Sequence, residues 1–397
     1  MTSESFPDYT RLLATAGLTI THYIVGSVLF DLVHWQAHQK SRSPLVRWLS
    51  RTHAAHHQYF DRRLRFQPRF RAANLASHMP LEFACQALGS TASWLLLRRL
   101  YPAAAAYDLL IVMVVQVIRT SVVAWNMGHD SNHIPYEVVP KDRNHMIVGP
   151  EYHVLHHIDP QNYFGSMVRV VDVLFGTATT LRGRRVAMTG SQGALGKALT
   201  EVLRKQERVA SVTPLRHGIE WTPDDLGKLA PLLAETDVLV LCHGTKDAAS
   251  AHAVNCAATV AIVELFRRVR TRAGAELIPE VWYVGSEAEL HGAMPGDGEA
   301  MKAYAASKRA FVPFARAYYD DEDFLYRHVV PAAFQSKMGS AVVGADWAAR
   351  VAVWWIRRGA QYVPVTYTGL AFVNYFRFMY WVAATPAGSP KTHKLTQ

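Results

Sequence analysis

Ten of the 19 histidines in this 397-residue chain lie in four short clusters. HWQAH and HDSNH each hold two histidines four positions apart, and HAAHH and HVLHH each hold three histidines in five positions. Because residues three or four apart share one face of a helix, each cluster can direct several imidazoles to one point. Imidazole is the commonest metal ligand, and ten nitrogens are too many for one ion, so the pattern predicts two metal ions. The candidate ligands are His34, His38, His53, His56, His57, His129, His133, His153, His156 and His157. The isolated His22, His78 and His145 are predicted to be ordinary core or interface residues.

A second kind of chemistry is indicated by a glycine-rich turn. The segment RRVAMTGSQGALGKALTEVLRK at 184–205 predicts a β-strand, a turn and an amphipathic helix. Gly190, Gly193 and Gly196 would let the backbone approach a pyrophosphate at the helix N-terminus. The turn therefore predicts a dinucleotide-binding site.

The sequence YAASK places Tyr304 and Lys308 four residues apart on one helical face. An ammonium near a tyrosine lowers the pKa of the phenol, which would make Tyr304 usable as a general acid or base near neutral pH. Two further strands are predicted at 236–244 and 280–289, and Ser286 lies at the end of the second. The segment therefore predicts acid–base chemistry by Tyr304.

The elements that would position the histidines are three apolar segments, 11–33, 74–97 and 102–124. Each is about long enough to cross a ~30 Å hydrocarbon layer, with buried helices of a large soluble core as the alternative. Nine basic residues and one acid lie between Lys40 and Arg71. Nucleic-acid binding or a cytoplasmic loop beside a bilayer would explain them, and the flanking apolar segments favour the loop. The second and third segments would form a hairpin that brings all four histidine clusters to the cytosolic face.

The order of clusters and apolar segments resembles the fatty acid hydroxylase / sterol desaturase superfamily over about residues 11–180. The resemblance implies two iron ions held by the ten histidines, which activate O₂ to hydroxylate or desaturate an unactivated C–H bond of a lipid. HWQAH has three residues between its histidines where some members have four. The ligand types alone leave zinc and copper open. Because no cytochrome b5 module is visible, a separate cytochrome b5- or ferredoxin-type electron donor is expected.

Residues 184–360 resemble a short-chain dehydrogenase/reductase. The resemblance implies that Tyr304 is the proton donor and acceptor and that Lys308 tunes its pKa and contacts the ribose. Ser286 would orient the substrate oxygen, and Asn255 would be the fourth member of the proton relay. CHGT replaces the usual Asn-Ala-Gly, and 18 positions separate the serine from the tyrosine. Segment 208–218 lacks an acid and carries Arg216, which favours NADP(H) over NAD(H).

The predicted fold class is an N-terminal all-α integral-membrane domain at 1–182, followed by an α/β Rossmann-like doubly wound parallel sheet at 183–397. The aromatic tail at 362–384 is predicted to be an interfacial helix, with a fourth membrane span as the alternative. The favoured function is a bifunctional oxidoreductase that oxidises a lipid-like substrate and interconverts an alcohol and a carbonyl. It would sit in the endoplasmic reticulum of a eukaryote or the inner membrane of a bacterium.

Two other functions remain open. The chain also resembles plant wax proteins that process aldehydes to hydrocarbon and join histidine boxes to a Rossmann-like region. The intact Tyr304 and Lys308 pair favours the bifunctional oxidoreductase, because a merely structural region has no need of it. The non-catalytic alternative is a membrane scaffold whose histidines bind structural zinc. Sterol, carotenoid, terpenoid and acyl substrates are all compatible with the sequence.

Overall fold

The computed structural model describes residues 9–100, 106–270 and 275–386, and the chain divides into two compact units, Met1–Ala178 and Thr179–Gln397. The division lies close to the boundary predicted after residue 182. The first unit is built from helices, with a 3₁₀ turn at Pro68–Phe70 and a π-helical turn at Asn74–His78. The helices are α1 (Tyr9–Ala37), α2 (Pro44–Tyr59), α3 (Arg71–Ala73), α4 (Met79–Leu100), α5 (Ala106–Trp125), α6 (Pro150–Ile158) and α7 (Val170–Phe175).

Helices α1 and α4 approach each other through glycines. A Cβ atom added to Gly89 would lie 2.9 Å from the Cα atom of Gly26, and one added to Gly26 would lie 2.5 Å from the carbonyl oxygen of Gln86. Small residues allow helix backbones to pack this closely. The histidine-bearing helices α2 and α6 each begin with a proline, Pro44 and Pro150, whose fixed φ suits the first turn of a helix.

Two helical segments of the described chain are long and apolar enough to cross a membrane, Leu12–Ala37 and Tyr107–Trp125. They correspond to the first and third predicted spans. Helix α4, at the place of the second, carries Glu82, Arg98 and Arg99 and does not meet the same test of length and composition. The hairpin of two membrane-crossing helices therefore stays a prediction.

The second unit contains a six-stranded parallel sheet with the order β2-β1-β3-β4-β5-β6. The winding reverses between β1 and β3, which is the place where doubly wound sheets bind ligands. One strand, β2, lies on one side of β1, where the six-strand order of dinucleotide-binding sheets has two. The predicted Rossmann-like parallel sheet is confirmed. The strands are β1 (Arg185–Thr189), β2 (Ser211–Leu215), β3 (Val238–Leu241), β4 (Glu280–Val284), β5 (Leu325–Pro331) and β6 (Tyr362–Val365).

Helices cover both faces of this sheet, as buried apolar strands require. One core layer packs the sheet against α8 and α13, and the other packs it against α9, α10, α12 and α14. A π-helical turn at Ala253–Ala258 leads into α10. The helices are α8 (Ala194–Lys205), α9 (Leu229–Ala234), α10 (Thr259–Val269), α11 (Ala288–His291), α12 (Glu299–Tyr319), α13 (Ala345–Arg357) and α14 (Leu370–Tyr380).

The aromatic tail does not form one long helix. Residues 362–365 belong to the sheet as β6, and α14 has 11 residues. At about 1.5 Å per residue, such a helix is roughly half as long as a bilayer core is thick, so a fourth span is wrong. Phe372, Phe376, Tyr380 and the following Trp381 are exposed, which leaves an aromatic face on the outer side of α14.

Candidate metal centre and dinucleotide site

Nine of the ten predicted ligand histidines form two groups in the helical unit. The first cluster consists of His34, His38, His53, His57 and His156, and the second consists of His56, His133, His153 and His157. Within each cluster the candidate ligand atoms lie within 4.8 Å of one another. Helices α1, α2 and α6 supply most of these side chains, and the segment between α5 and α6 supplies His133.

The two HH pairs are divided between the clusters. On α2, His53 and His57 join the first cluster, and His56 points to the second. On α6 the assignment is reversed, because His153 and His157 join the second cluster, and His156 joins the first. The repeated H-x-x-H-H sequence therefore gives each of two helices a ligand for both metal positions.

The spacing of the nitrogens fits metal ions better than a hydrogen-bonded network. In the second cluster the Nε2 atoms form a closed ring, with distances of 3.1 Å from His56 to His133, 3.0 Å from His133 to His153, 3.1 Å from His153 to His157 and 3.2 Å from His157 to His56. A neutral imidazole has one N–H, so it cannot donate to both neighbours in such a ring. Nitrogens at right angles around a metal with ~2.1 Å bonds would be about 3 Å apart.

The first cluster has the same spacing. The Nε2 atom of His156 lies 2.9 Å from that of His34 and 3.2 Å from that of His57, which lies 2.9 Å from that of His53. Burial keeps the imidazoles neutral, because it lowers the pKa of His38 to about 4. Burial also lowers the pKa of His53, His57 and His156 well below the usual value. Neutral imidazole is the form that binds a metal.

Two hydrogen bonds at Nδ1 atoms orient the rings of candidate ligands. Neither bond was predicted from the sequence. The Nδ1 atom of His133 is 2.6 Å from Oδ1 of Asp130, and Nδ1 of His156 donates to the carbonyl oxygen of Asn162 at 2.9 Å. Such partners fix the ring and leave Nε2 free for the metal. Asp172 in turn accepts the backbone N–H groups that follow Asn162, those of Phe164 and Gly165.

Two other histidines lie near the clusters without belonging to them. His129 lies outside both clusters, with its Nε2 atom 3.1 Å from the hydroxyl of Tyr59, so its ligand role stays a prediction. His78 is buried, as predicted for a core residue, but its position beside the clusters was not predicted, and its ring centroid lies 4.3 Å from that of His56. Its Nδ1 atom is 3.4 Å from that of His53, which belongs to the other cluster. An isolated histidine carries no sequence signal for this position.

A cavity of about 880 Å³ adjoins the clusters. Histidines of both clusters line it, including His34, His53, His56 and His133. The rest of its wall comes from α1, the π-helical turn at Asn74–His78, α4, α5 and the segments that follow α5 and α6. A bound molecule could therefore reach both predicted metal positions from one space.

In the α/β unit the three glycines occupy the turn between β1 and α8, and each has a different environment. Gly190 has a φ of +65°, and a Cβ atom there would meet the carbonyl oxygen of Cys242 at 2.4 Å. A Cβ atom on Gly196 would meet the carbonyl oxygen of Gly190 at 2.2 Å, so this glycine allows the helix to pack on the turn. On Gly193 it would have one neighbour, at 3.2 Å, and no side chain caps the helix there. A tight turn, an open middle position and a close packing contact fit the pyrophosphate of a dinucleotide.

The predicted catalytic side chains of the α/β unit lie together at the carboxyl end of β4. Ser286 follows this strand and hydrogen-bonds to Tyr304 on α12. Lys308 is buried on the same helix, donates from Nζ to the carbonyl oxygen of Val284 at 2.8 Å, and lies 5.9 Å from the ring centroid of Tyr304.

The expected lowering of the tyrosine pKa is not found. Burial raises the pKa of Tyr304 to about 12, although the hydrogen bond with Ser286 opposes the rise. Burial also lowers the pKa of Lys308 to about 8, against the effect of Glu289. Desolvation is the largest influence on the pKa of Tyr304, so its phenol is protonated at pH 7.

The side chain of Asn255 is used within the protein. Its Oδ1 atom accepts the N–H of Thr245 at 2.9 Å, and its Nδ2 atom donates to the carbonyl oxygen of Thr245 and to the hydroxyl of Ser307. These bonds hold the segment after β3 against α12. Its predicted role in a proton relay stays a prediction.

Arg216, the predicted contact of a 2′-phosphate, directly follows β2 but is already paired. Its backbone N–H and its guanidinium both donate to Glu220, at 2.7 Å and 2.6 Å. The sequence segment 208–218 contains no acid, so this carboxylate, two residues beyond it, was missed. A bound phosphate would have to compete with Glu220 for Arg216.

A buried pair formed by a carboxylate and an imidazole lies beside Tyr304, and it was not predicted from the sequence. Glu289 and His328 have no exposed side-chain surface, and the Oε2 atom of Glu289 lies 2.9 Å from Nε2 of His328. The other carboxylate oxygen accepts the backbone N–H of Ser286 at 3.2 Å. The pair fixes the segment that carries Ser286. Glu289 and His328 lie far apart in sequence, in no motif that would have linked them.

Comparison with known proteins matches residues 19–177 to the family model described as fatty acid hydroxylase. A curated relative, monoglucosyldiacylglycerol epimerase from Synechocystis sp., is 29% identical over 255 residues, which cover 58% of this chain and 60% of that protein. The chain therefore aligns with less than two thirds of the length of this relative.

Solved structures are similar to the second unit. A short chain dehydrogenase from Burkholderia cenocepacia in complex with NADP has 15% identity and a TM-score of 0.41, over 55% of this chain and 100% of that chain. A short chain dehydrogenase/reductase from Burkholderia phymatum in complex with NAD has 15% identity and a TM-score of 0.41, over 49% of this chain and 93% of that chain.

Proposed function

We propose that the chain is a bifunctional oxidoreductase that modifies a lipid, because residues 19–177 match the fatty acid hydroxylase family model and a Rossmann-like α/β unit follows. The observation that carries the proposal is the pair of histidine clusters beside one cavity. The helical unit would oxidise the lipid with O₂, and the α/β unit would interconvert an alcohol and a carbonyl of the same lipid.

The two clusters would hold two iron ions, which supply the activation of O₂ needed to hydroxylate or desaturate an unactivated C–H bond. The chain itself provides neutral imidazoles, and Asp130 and Asn162 keep the rings of His133 and His156 in place. Electrons would come from a separate cytochrome b5- or ferredoxin-type donor.

Gly190, Gly193 and Gly196 would hold the pyrophosphate of a nicotinamide dinucleotide, which would supply hydride transfer. Tyr304 would give its proton to the substrate oxygen in reduction and take it back in oxidation, and Ser286 would hold that oxygen. NADP(H) is the proposed form because of Arg216, although Glu220 weakens the attraction for a 2′-phosphate.

We place the protein in a membrane, with both catalytic units on the cytosolic side. Two apolar helices, α1 and α5, and the basic stretch between Lys40 and Arg71 support this arrangement. The exposed aromatic face of α14 would rest in the interface of the bilayer.

A second candidate follows from the curated relative, whose name describes an epimerase of a glucosyl lipid. The α/β unit would remove a hydride from a hydroxyl-bearing carbon and a proton from its hydroxyl group, and would then return the hydride to the other face of the carbon and the proton to the oxygen. Such a cycle leaves the dinucleotide unchanged and consumes no O₂. Measurement of O₂ consumption separates it from the first proposal.

The test uses the split of the HH pairs. The iron-loaded wild type should carry about two metal ions, and His56→Ala and His57→Ala should each leave about one, because each variant opens a different cluster. Both should lose the O₂-dependent lipid product seen by mass spectrometry, and His145→Ala, at an exposed histidine, should not. If neither substitution changes metal content or product, the two-metal oxidase is refuted. A zinc scaffold would bind metal but form no product. An aldehyde-processing enzyme would release hydrocarbon.

A further inference from the structure

The α/β unit buries an amine and a carboxyl group beside the candidate acid–base group. Lys308 is 2% exposed and Glu289 is 1% exposed. An ionised group that is removed from water costs free energy unless an opposite charge and hydrogen bonds compensate it. The proposed reaction uses Lys308 but gives no part to Glu289. The hydrogen bonds of Glu289 decide which protonation state of its carboxyl group fits this position.

Both carboxyl oxygens of Glu289 have partners. Oε1 accepts the backbone N–H of Ser286 at 3.2 Å, and Oε2 lies 2.9 Å from Nε2 of His328. Nδ1 of His328 lies 3.0 Å from the hydroxyl of Tyr326. A neutral imidazole with its proton on Nε2 would donate to Glu289 and accept from Tyr326, so every proton of the chain has an acceptor. A protonated Glu289 would move the imidazole proton to Nδ1 and leave the hydroxyl proton of Tyr326 without an acceptor among these groups. The hydrogen bonds therefore fit an ionised carboxylate.

The carboxylate and the amine bind to neighbouring residues at the end of β4. Nζ of Lys308 donates to the carbonyl oxygen of Val284 at 2.8 Å, and Glu289 accepts the N–H of Ser286. Gly285 lies between these two residues, and a Cβ atom there would overlap Oε1 of Glu289. The lack of a side chain at this glycine therefore lets the carboxylate pack against the backbone segment that also binds the ammonium.

The groups around Lys308 leave Glu289 as its anion. The titratable groups that face Lys308 are Glu289 on α11, Cys242 and His243 after β3, Cys256 in the π-helical turn, Tyr283 on β4 and Tyr304 on α12. Burial raises the pKa of the two thiols and the two phenols and lowers the pKa of the imidazole, so these groups are neutral near pH 7. Burial also lowers the pKa of Lys308 to about 8, and the charge of Glu289 opposes this effect.

We propose that Glu289 is the buried counter-charge of Lys308, a positioning residue that keeps the amine protonated beside Tyr304. The same carboxylate holds the backbone of Ser286, and His328 fixes it from the other side. Its part in catalysis rests on the proposed alcohol–carbonyl interconversion, whereas the pairing of the two charges does not depend on that reaction.

A cycle of variants in the full chain tests the pairing. Glu289→Gln keeps the shape of the side chain and an oxygen for Ser286, and His328 can accept from the new amide with its proton on Nδ1, so the main loss is the charge. The equilibrium constant for unfolding at pH 7 should rise about tenfold, because the amine of Lys308 must stay charged without its anion or give up its proton. In a Lys308→Met background the same substitution should change that constant less than about threefold. Alkylation of the buried Cys256 during chemical denaturation, detected by mass spectrometry, reports on unfolding of the α/β unit.

Glu280→Gln is the matched control. Glu280 is also buried, but it pairs with Arg327 at 2.8 Å at the start of β4, whereas Lys308 binds at the end of that strand. The control should therefore destabilise the chain equally with and without Lys308. An equal effect of Glu289→Gln in both backgrounds would overturn the proposal, because it would leave Glu289 only a structural hydrogen-bonding role. If Glu289→Gln alone does not fold, folding of the double variant supports the pairing, and failure of both variants overturns it.

The pH dependence of the cycle provides a second measurement. The effect of Glu289→Gln should be present at pH 7 and disappear as the pH rises through about 8, where Lys308 loses its proton in the folded wild type. An effect that stays constant with pH would contradict the proposal. Absence of alcohol–carbonyl activity in the wild type would instead refute the proposed function and leave the pairing of the charges intact.

Discussion

At the scale of single residues, a buried lysine beside the candidate acid–base group makes stability depend on pH. Lys308 is 2% exposed, and burial lowers its pKa from 10.5 to about 8. Between these values the unfolded chain holds a proton that the folded chain has lost. Stability rises with pH wherever the unfolded state binds more protons, so the cost of the buried ammonium is present below pH 8 and disappears as the pH approaches 10.5.

Lys308→Met should therefore change the pH dependence of unfolding. The free energy of unfolding of the wild type should gain roughly 3 kcal/mol relative to the variant between pH 7 and pH 10.5, since one pKa unit corresponds to about 1.4 kcal/mol. Chemical denaturation at several pH values measures the difference, in which the contributions of other groups cancel. Lys228→Met, at an exposed lysine, is the control. A constant difference between wild type and Lys308→Met would contradict the burial of a charged amine.

Most residues of the candidate site could be predicted from the sequence, but the division of the histidines between two clusters could not. Ten histidines in four motifs were predicted as ligands, because spacing along a helix is local information, and nine of them lie in the two clusters. His56 and His57 project from α2 on opposite sides of His53. Which cluster each of them joins depends on the position of α6. His78 and Glu289 contact residues that are distant in sequence, so no local pattern revealed them. Asp130 and Asn162 lie close in sequence to His133 and His156, but neither belongs to the histidine spacing that the motifs display.

At the scale of elements, the turn between β1 and α8 uses its glycines for different purposes. Gly196 is required by packing, because a Cβ atom would lie 2.2 Å from the carbonyl oxygen of Gly190. Gly193 has a single neighbour for such an atom, at 3.2 Å, so its lack of a side chain leaves room for a ligand. Gly196 is therefore a structural glycine, and Gly193 is the candidate contact for the dinucleotide.

Matched alanine substitutions test the contrast. Gly196→Ala should lower the free energy of unfolding by about 1–3 kcal/mol, the usual cost of overpacking. Gly193→Ala should fold with little change but weaken NADPH and NADH about tenfold or more, since its methyl group would occupy the approach to the pyrophosphate. Gly339→Ala, with no atom within 4 Å of the added carbon, is the control for both measurements. Unchanged dinucleotide binding in Gly193→Ala would remove this turn as the binding site.

The elements with a strong local pattern could be predicted, and their pairing could not. Strands β1, β3 and β4, the glycine turn and the helix of Tyr304 were recognisable from apolar runs and motif spacing. That no second strand lies beyond β2 in the described part of the chain depends on long-range pairing. The predicted span at 74–97 contains a π-helical turn and the charge of Glu82, whose partner Arg119 lies on another helix. The aromatic segment 362–384 contains strand β6, which was not predicted from the sequence.

At the scale of the whole molecule, two catalytic units in one chain have an advantage if they share a substrate. An intermediate released at one site meets the second at the effective concentration set by the tether. For a poorly soluble lipid this avoids transfer through water. The order of the two steps then follows from the chemistry that each unit can perform alone.

Tyr304→Phe separates the two steps. Phenylalanine keeps the ring packing and removes the hydroxyl that would carry the proton, so alcohol–carbonyl interconversion should fall at least a hundredfold. Oxidation at the histidine clusters needs nothing from Tyr304 and should continue. If hydroxylation comes first, the variant accumulates a hydroxylated lipid that the wild type converts to a ketone or aldehyde, and mass spectrometry shows one added oxygen without the later loss of two hydrogens. If reduction comes first, the variant retains an unmodified carbonyl substrate.

We expect hydroxylation first, because the helical unit carries the apolar helices that an apolar substrate would reach from the bilayer. An unchanged product profile would show that the two units do not act on one lipid.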